Sequence, residues 1–512
     1  MRPIDHLCGV IFACFICTVV LIKVGVASED RIVSPKKTRV WGPGLKSDFF
    51  VPVRYFYIHA VDESGEKFIE SVGEKAFSVS TYSSDGSRVR IWTQVLDRHD
   101  GSYIVRFRPY ETTTSLIIDV LYGGKHVAKS PYTLKGPVYH EKCSCPQPDI
   151  GQFYKQLDCP KSYQQIKQDL GIFKKIDMKK VAKEAVKRFN NAGAHSICHY
   201  KVINNKIYRK TYGQHVGFKM FVDNILVSIV KKVKLPNVEF IVNLGDWPLE
   251  KKKLSENPLP ILSWCGSEDT RDIVMPTYDI TEATLEMMGR VSLDMFSVQA
   301  NTGPPWSEKS DVAFWRGRDS RQERLDLVVM SRNHPETIDA ALTNMFFFKK
   351  EPEKYGELVK HISFFDFFKY KYQINVDGTV AAYRLPYLFG GNSLVLKQDS
   401  HYYEHFYHHL KPYEHYIPFR HNLSDLMEKV QWARDHDKEA QEIAKAAQMW
   451  VRQNLNPADI FCYHVKLFHE YSKLLKNKVE VDKSFEEVEI AKDSESQCDC
   501  KPYKKVKGHD EL

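Results

Sequence analysis

At 512 residues, with 43% hydrophobic and 27% charged residues, the chain is globular in composition and too long for one ordinary core, so roughly three folding units are expected. The formal charge of +8 is mild for this length, and part of it sits in the terminal stretch "KPYKKVKGH", a solvated basic tail rather than the aromatic-interleaved stripe that nucleic acid requires. After the first thirty residues no segment has the ~20 uninterrupted apolar residues of a membrane span, which excludes a membrane-embedded mature chain.

Residues 1–28 read as a secretory signal peptide: Arg2 supplies charge, "LCGVIFACFICTVVLI" the apolar region, and Val26, Ala27 and Ser28 a cleavage site. An uncleaved anchor is the alternative, because only Lys23 interrupts the apolar run. Residues 32–136 look all-β. "FFVPVRYFYIHAVDESGEKF" and "LIIDVLYGGKHVAKSPYTL" alternate β-branched and aromatic residues with polar ones, punctuated by Ser-Gly, Asp-Gly and Gly-Gly turns, as in a small sandwich. "WGPGL", "DRHDGSYIVRFRP" and "GGKHVAKSPYTL" resemble the immunoglobulin-like domain of filamins. That resemblance implies binding by strand addition or a positioning role, with a passive spacer equally open.

A Pro- and Cys-rich linker, "GPVYHEKCSCPQPDIGQFYKQLDCP", precedes a change of pattern. Cys143 and Cys145 point opposite ways if extended, so each needs a distant partner, and disulfides are favoured over zinc because no C-x-x-C or paired His at finger spacing accompanies them. "YQQIKQDLGIFKKIDMKKVAKEAVKRFNN" is helical in period, "HSICHYKVINNKIYRKTYG" reads as paired strands, "FKMFVDNILVSIVKKV" as an amphipathic helix and "VEFIVNL" as a short buried strand. "PLPILSWCGS" and "DVAFWRG" read as further strands, the second followed by the helix "QERLDLVVMSRNH"; "YKYQINVDG", a helix "TVAAYRLPYLFGG" and a strand "NSLVLK" repeat the order. Strand, loop, helix, strand is the order of a parallel α/β sheet. From Asp425 to about Lys476 the chain is mostly helical, and 477–512 is a charged, flexible tail ending in His-Asp-Glu-Leu, an address for retention in the endoplasmic reticulum (ER) lumen.

Ligands of open parallel sheets bind beyond the carboxyl ends of strands, and three segments put polar residues there. Asp246 follows "FIVNL"; Ser310 begins "SDVAFWRGR", which ends in Arg316, Gly317 and Arg318; and "NVDGTVAAYR" runs from strand into a helix expected to start at Thr379, with Arg384 about 1.5 turns in. Bare amides at that helix start, with two arginines, suit a diphosphate. No G-x-x-x-x-G-K-[ST] or G-x-G-x-x-G is present, so nucleoside-triphosphatase and nicotinamide readings lack their anchor.

"FIVNLGDWP", "DVAFWRGR", "YKYQINVDGTVAAYRLPYLF", "LKPYEHYIPF" and "DIFCYH", in this order, resemble glycosyltransferase family 90, the group that includes the Rumi-type protein O-glucosyltransferases; with the filamin-like domain and "HDEL" the chain is similar to the KDEL-motif-containing members. The resemblance implies an α/β two-lobed glycosyltransferase-B fold of two Rossmann-like lobes, 143–300 on the acceptor side and 301–476 on the nucleotide-sugar side with closing helices. It implies inverting transfer of glucose from UDP-glucose to serines of epidermal-growth-factor-like (EGF-like) repeats, without a metal or other cofactor. It makes Asp246 the general base, Ser310 and Arg316 nucleotide-sugar contacts, and Thr379, Val380, Ala381, Ala382, Tyr383 and Arg384 the stretch holding the phosphates. It also pairs Cys143 with Cys159 and Cys145 with Cys462, in an order left open. The chain departs from the family at "YGQHVGF" and "FFKYKYQIN", where Rumi-type enzymes carry cysteine pairs flanking the acceptor side, so the acceptor is the part least carried over.

Two metal-like patterns are set aside. His401, His405 and His409 have helical spacing within a Tyr- and Phe-dense stretch, and "DHD" at 435–437 lies in a charged helical region rather than at a strand end. A UDP-xylose-dependent enzyme and a catalytically silent ER binding protein or chaperone are the alternatives; EGF-like repeats and the ER retrieval receptor are the expected protein partners.

Overall fold

The structure, a computed structural model, describes residues 31–86, 89–190, 196–253, 257–285, 293–490, 498 and 500. The signal peptide and the terminal HDEL lie outside them. Two antiparallel sheets form the N-terminal sandwich. One has the order Arg39–Trp41, Arg54–His59, Ser102–Pro109, Ile91–Asp97; the other pairs Thr113–Tyr122 with Phe77–Ser83, Lys125–His126 and Tyr132–Val138.

Strand periodicity explains how this sandwich is attached. In Arg54–His59 and Ser102–Pro109 alternate side chains face opposite ways, and here both faces are apolar. Phe56, Ile58, Tyr103, Val105 and Phe107 fill the sandwich core. Tyr55 and Ile104, on the other face, join a core shared with the α/β region. Tyr55 packs edge-on to Phe296 at 4.9 Å, and Arg106 donates to Asp294 at 3.0 Å and to Ser297 at 3.2 Å. The Arg106–Asp294 pair is almost fully buried, and Asp294 also caps the helix Met295–Ala300 by accepting from the amides of Phe296 and Ser297. A passive spacer does not share a core; the sandwich is a fixed part of the body.

The first α/β sheet has the order Ile273–Val274, Ile261–Ser263, Val238–Asn243, Ile197–Ile203, Lys206–Tyr212, Glu486–Glu487. Its first three strands are parallel and the rest antiparallel. The expected strand pair is a hairpin turning at Asn204 and Asn205, whose φ of 49° and 65° suit the two-residue primed turn that Asn tolerates. The second sheet, Ile338–Asn344, Ser310–Arg318, Tyr370–Asn375, Leu394–Gln398, Ile417–Phe419, is parallel throughout. Helices Gln322–Asn333 and Leu385–Gly390 supply two of its crossovers. The two α/β lobes expected from sequence are therefore present.

Four expectations change. The helical stretch after Tyr163 divides into Gln164–Leu170 and Met178–Phe189, because the main chain at Ile176 pairs instead with Leu474 and Lys476. The helix Pro457–Leu474, grouped with the second lobe by sequence, buries Phe461, Val465, Leu467 and Phe468 in the core of the first. The tail is not free from residue 477: Val479 is buried, Glu486–Glu487 pairs with Lys206–Tyr212, and Val488 donates to the carbonyl of Ile207. The disulfides are Cys143–Cys498, Cys145–Cys500 and Cys159–Cys462. Each C-x-C cysteine does take a distant partner, but the partners form the C-terminal C-x-C, and Cys159 pairs with Cys462.

Cys198 and Cys265 are free and buried, and burial pushes the Cys198 thiol up to about 12. Non-reducing peptide mapping is expected to recover those three bridges, with Cys198 and Cys265 alkylated only after denaturation. Recovery of Cys143 with Cys159 would contradict the pairing.

Candidate active site

Asp246 stands three residues past the end of the strand Val238–Asn243, and buried side chains fix the turn that carries it. Asn243, fully buried, accepts from the amide of Gly245 at 2.9 Å and donates to the carbonyl of Trp247 at 2.7 Å and to Ser263 Oγ at 3.2 Å. Asp272 accepts from the amides of Leu249 and Glu250, both at 2.8 Å, and from Ser263 Oγ at 2.6 Å. Gly245 to Glu250 is thus held at both ends, and the Asp246 carboxylate is aimed rather than left to wander.

It is aimed into a cavity of about 450 Å³ between the two α/β sheets. The cavity is lined on one side by Asp246, Tyr278 and Asp279 and on the other by Arg316, Gly317, Arg318, Arg324 and the loop Gly378–Arg384. Eight of the nine expected site residues are brought together here. Ser310 is not: it is exposed at the amino end of the strand whose carboxyl end carries Arg316, roughly 20 Å away at about 3.3 Å per residue.

Each element places its residues for a local reason. In Ser310–Arg318 the register with the neighbouring strand slips between Gly317 and Arg318, and a bulge of this kind re-aims a side chain. Gly317 is required because the Trp315 ring lies 2.5 Å from where its Cβ would sit. Arg316 lines the cavity, but its guanidinium is engaged by Asp339 Oδ1 at 2.8 Å and by the Asp339 and Trp315 carbonyls, each at 2.9 Å. Arg318 is exposed and, among the described residues, has no carboxylate partner.

The helix expected from Thr379 begins only at Leu385, with Pro386 in its first turn and Arg384 at its N-cap, so Thr379–Tyr383 is a loop and Arg384 is not inside a helix. Gly378 donates to the carbonyl of Val380 at 2.8 Å and folds that loop back. Among the described residues the main-chain amides of Ala381 and Ala382 find no hydrogen-bond partner, although both residues are buried. Arg324 lies beneath: it donates to the carbonyls of Asp377 at 2.7 Å, Val376 at 3.2 Å and Arg318 at 3.1 Å. Arg384 donates to the carbonyl of Arg316 at 2.6 Å. Burial, reinforced by neighbouring arginines, lowers Arg324 to about 9 and Arg384 to about 10, so this wall of the cavity concentrates positive charge. Orphaned amides beside crowded guanidiniums make a strong anion site.

The opposite wall is acidic. Burial raises the Asp246 carboxyl above its ordinary 3.8, opposed by a hydrogen bond from Tyr278 Oη at 3.3 Å and by the charge of Arg318. Asp279 is raised to about 6 by burial and by Asp246, with Arg384 pulling the other way. Tyr278 is stacked on Phe221, 5.1 Å between centroids, and set edge-on to Trp264 and Tyr383, each at 5.5 Å. Tyr278 and Asp279, from the helix Tyr278–Leu285, went unnoticed in the sequence; "TYD" at a helix start resembles any acidic first turn.

The metal-like patterns dissolve. His401 is in a loop, His409 ends a short 3-10 helix and His405 is buried against Tyr463, so helical spacing does not bring them onto one face. Asp437 accepts from Trp306 Nε1 at 3.1 Å and from Lys371 Nζ at 2.8 Å, a structural role at a helix junction.

Residues 154–505 match glycosyl transferase family 90, and residues 32–133 match the filamin/ABP280 repeat. Protein O-glucosyltransferase 2 of Danio rerio is 56% identical over 479 residues, covering 94% of this chain and 95% of that protein. Protein O-glucosyltransferase 3 of Homo sapiens is 48% identical over 495 residues, covering 96% and 97%. Protein O-glucosyltransferase 1 of Homo sapiens is 30% identical over 332 residues, covering 63% of this chain and 82% of that one.

Proposed function

The chain belongs to glycosyl transferase family 90 and carries a filamin repeat in front of the transferase region, and on that ground we propose that it is an inverting protein O-glucosyltransferase that moves glucose from UDP-glucose to a serine hydroxyl of EGF-like repeats in the ER lumen. The observation that carries this reading is the two-sided cavity, with an aimed carboxylate facing a wall of arginines and free amides. A serine hydroxyl is a weak nucleophile, so a positioned base must take its proton as the oxygen attacks the anomeric carbon. Asp246 has that role, and burial strengthens it as a base.

The UDP leaving group gains negative charge as its bond to the sugar breaks. Arg318, Arg384 and the amides of Ala381 and Ala382 face that charge without reorganising, which is where preorganised electrostatics lowers a barrier most. Arg324 fixes the loop from below. Phe364 and Phe367, stacked at 4.8 Å, give the cavity an apolar end for the base of the nucleotide. Three disulfides support a lumenal, oxidising compartment, and no helix among the described residues is long and apolar enough to cross a membrane.

Intact-mass spectrometry of an EGF-like repeat incubated with the purified protein and either UDP-glucose or UDP-xylose tests the reading. One added hexose is expected; a pentose would make the donor UDP-xylose, and no transfer from either would leave a binding protein.

The pH profile probes Asp246 itself. Transfer needs the carboxylate ionised, so activity holds above its pKa and is lost as pH falls through it, with a midpoint above 3.8 because burial raises it. Tyr278 donates to the ionised form and favours it. Tyr278→Phe is therefore expected to shift the acid limb of kcat/KM to still higher pH, and an unmoved limb would separate Tyr278 from the base.

A further inference from the structure

The strand Ile338–Asn344 leaves the second sheet beside the cavity, and Phe346, Phe347 and Phe348 follow it, 63%, 60% and 36% exposed. Large contiguous apolar patches on a protein surface mark interaction sites. This one is built, not frayed. The amides of all three phenylalanines donate to the Asp319 carboxylate at 2.8 Å, and Asp319 is itself fully buried. Burial works to raise that carboxyl, and the three amides outweigh it, leaving it below its ordinary value.

The patch is continuous with the cavity mouth. Asp319 directly follows Arg318, whose guanidinium lies 5.8 Å from the centre of the Phe346 ring. Thr343, from the preceding strand, and Ile362, 42% exposed, both line the cavity. The segment bearing Leu358 and Ile362 is tied to the same strand where the amide of Val359 donates to the carbonyl of Leu342 at 2.9 Å.

We propose that this phenylalanine shelf is the docking surface for the protein acceptor, receiving an apolar cluster on a folded domain whose serine hydroxyl reaches Asp246. The proposal rests on the transferase reading above. With the donor's diphosphate on the arginine wall, an acceptor enters at the mouth, and this shelf borders that mouth beside Arg318 and Thr343. Aromatic side chains on an immobilised backbone lose little entropy on binding and serve as anchors at protein interfaces. A lipid surface would call for surplus basic charge, but Lys349 and Lys350 are followed at once by Glu351 and Glu353.

The test is Phe347→Ser combined with Phe348→Ser in the full chain, leaving Phe346 against Arg318. The KM for an EGF-like repeat is expected to rise about tenfold or more, while kcat, acceptor-free hydrolysis of UDP-glucose and the melting temperature stay at wild-type values. An unchanged KM beside an active wild type would overturn the proposal. So would sedimentation showing that the double substitution dissolves a wild-type dimer, or loss of wild-type binding to phosphatidylserine vesicles, with KM unchanged. A wild type that transfers no sugar to any repeat would instead remove the transferase reading itself.

Discussion

Asp246→Asn is expected to fold normally, to bind UDP as the wild type does and to lose transfer by roughly 10²- to 10⁴-fold in kcat. The substitution keeps the size of the side chain and a group able to meet the Tyr278 hydroxyl, and removes the negative charge together with the ability to take a proton. The backbone around it is fixed by Asn243, Asp272 and the Cys265 thiol, which donates to the Asp246 carbonyl at 3.6 Å, so the turn survives the change. Asp279→Asn is the control: it sits in the same cavity but faces Arg384. Full activity in Asp246→Asn with loss in Asp279→Asn would move the base to Asp279. Isothermal titration with UDP and steady-state transfer kinetics on each variant separate these outcomes.

Arg384→Met should lower kcat by roughly 10²- to 10³-fold, or about 2.7–4 kcal/mol of transition-state stabilisation, and weaken UDP binding at the same time. Met retains much of the buried volume and forfeits the charge and the hydrogen bond to the Arg316 carbonyl. Arg384→Lys should fall between the two, since an ammonium restores charge without the planar fork. The comparison discriminates against a purely structural role. If Arg384 only tied the loop to the strand, Lys, which can still donate to the Arg316 carbonyl, would restore activity only as far as it restored the melting temperature, and UDP affinity would follow the melting temperature.

Much of this was legible in the amino-acid order. "VEFIVNLGDWP" places a carboxylate beyond a buried strand, and "YKYQINVDGTVAAYR" places small residues and an arginine beyond another; period-2 and helical patterning suffices for such elements. Local pattern fails where a tertiary contact decides. Ser310 and Arg316 lie on one strand, and which end faces the cavity is set by sheet direction, which a single strand does not reveal. Arg318 stood in plain sight in "WRGR", yet only the folded strand end, with its bulge after Gly317, shows that Arg316 is tied to Asp339 while Arg318 has no carboxylate partner among the described residues. The partners of Cys143 and Cys145 lie 355 residues away, beyond any spacing rule. The sandwich was recognisable from its turns, whereas its attachment depends on Tyr55, Ile104 and Arg106, outward-facing residues that read as ordinary strand positions.

The shelf of phenylalanines and the arginine wall are joined through consecutive residues, Arg318 lining the cavity and Asp319 holding the three phenylalanine amides, while Asp246 lines the cavity from the other lobe. On the proposed reading, a folded acceptor presents its hydroxyl to Asp246 on the face of the sugar opposite the departing diphosphate. Nuclear magnetic resonance of the glucosylated serine gives the configuration of the transferred sugar directly. A β-linked glucose from the α-linked UDP donor is the expected result, and an α-linked glucose would contradict a single displacement assisted by Asp246.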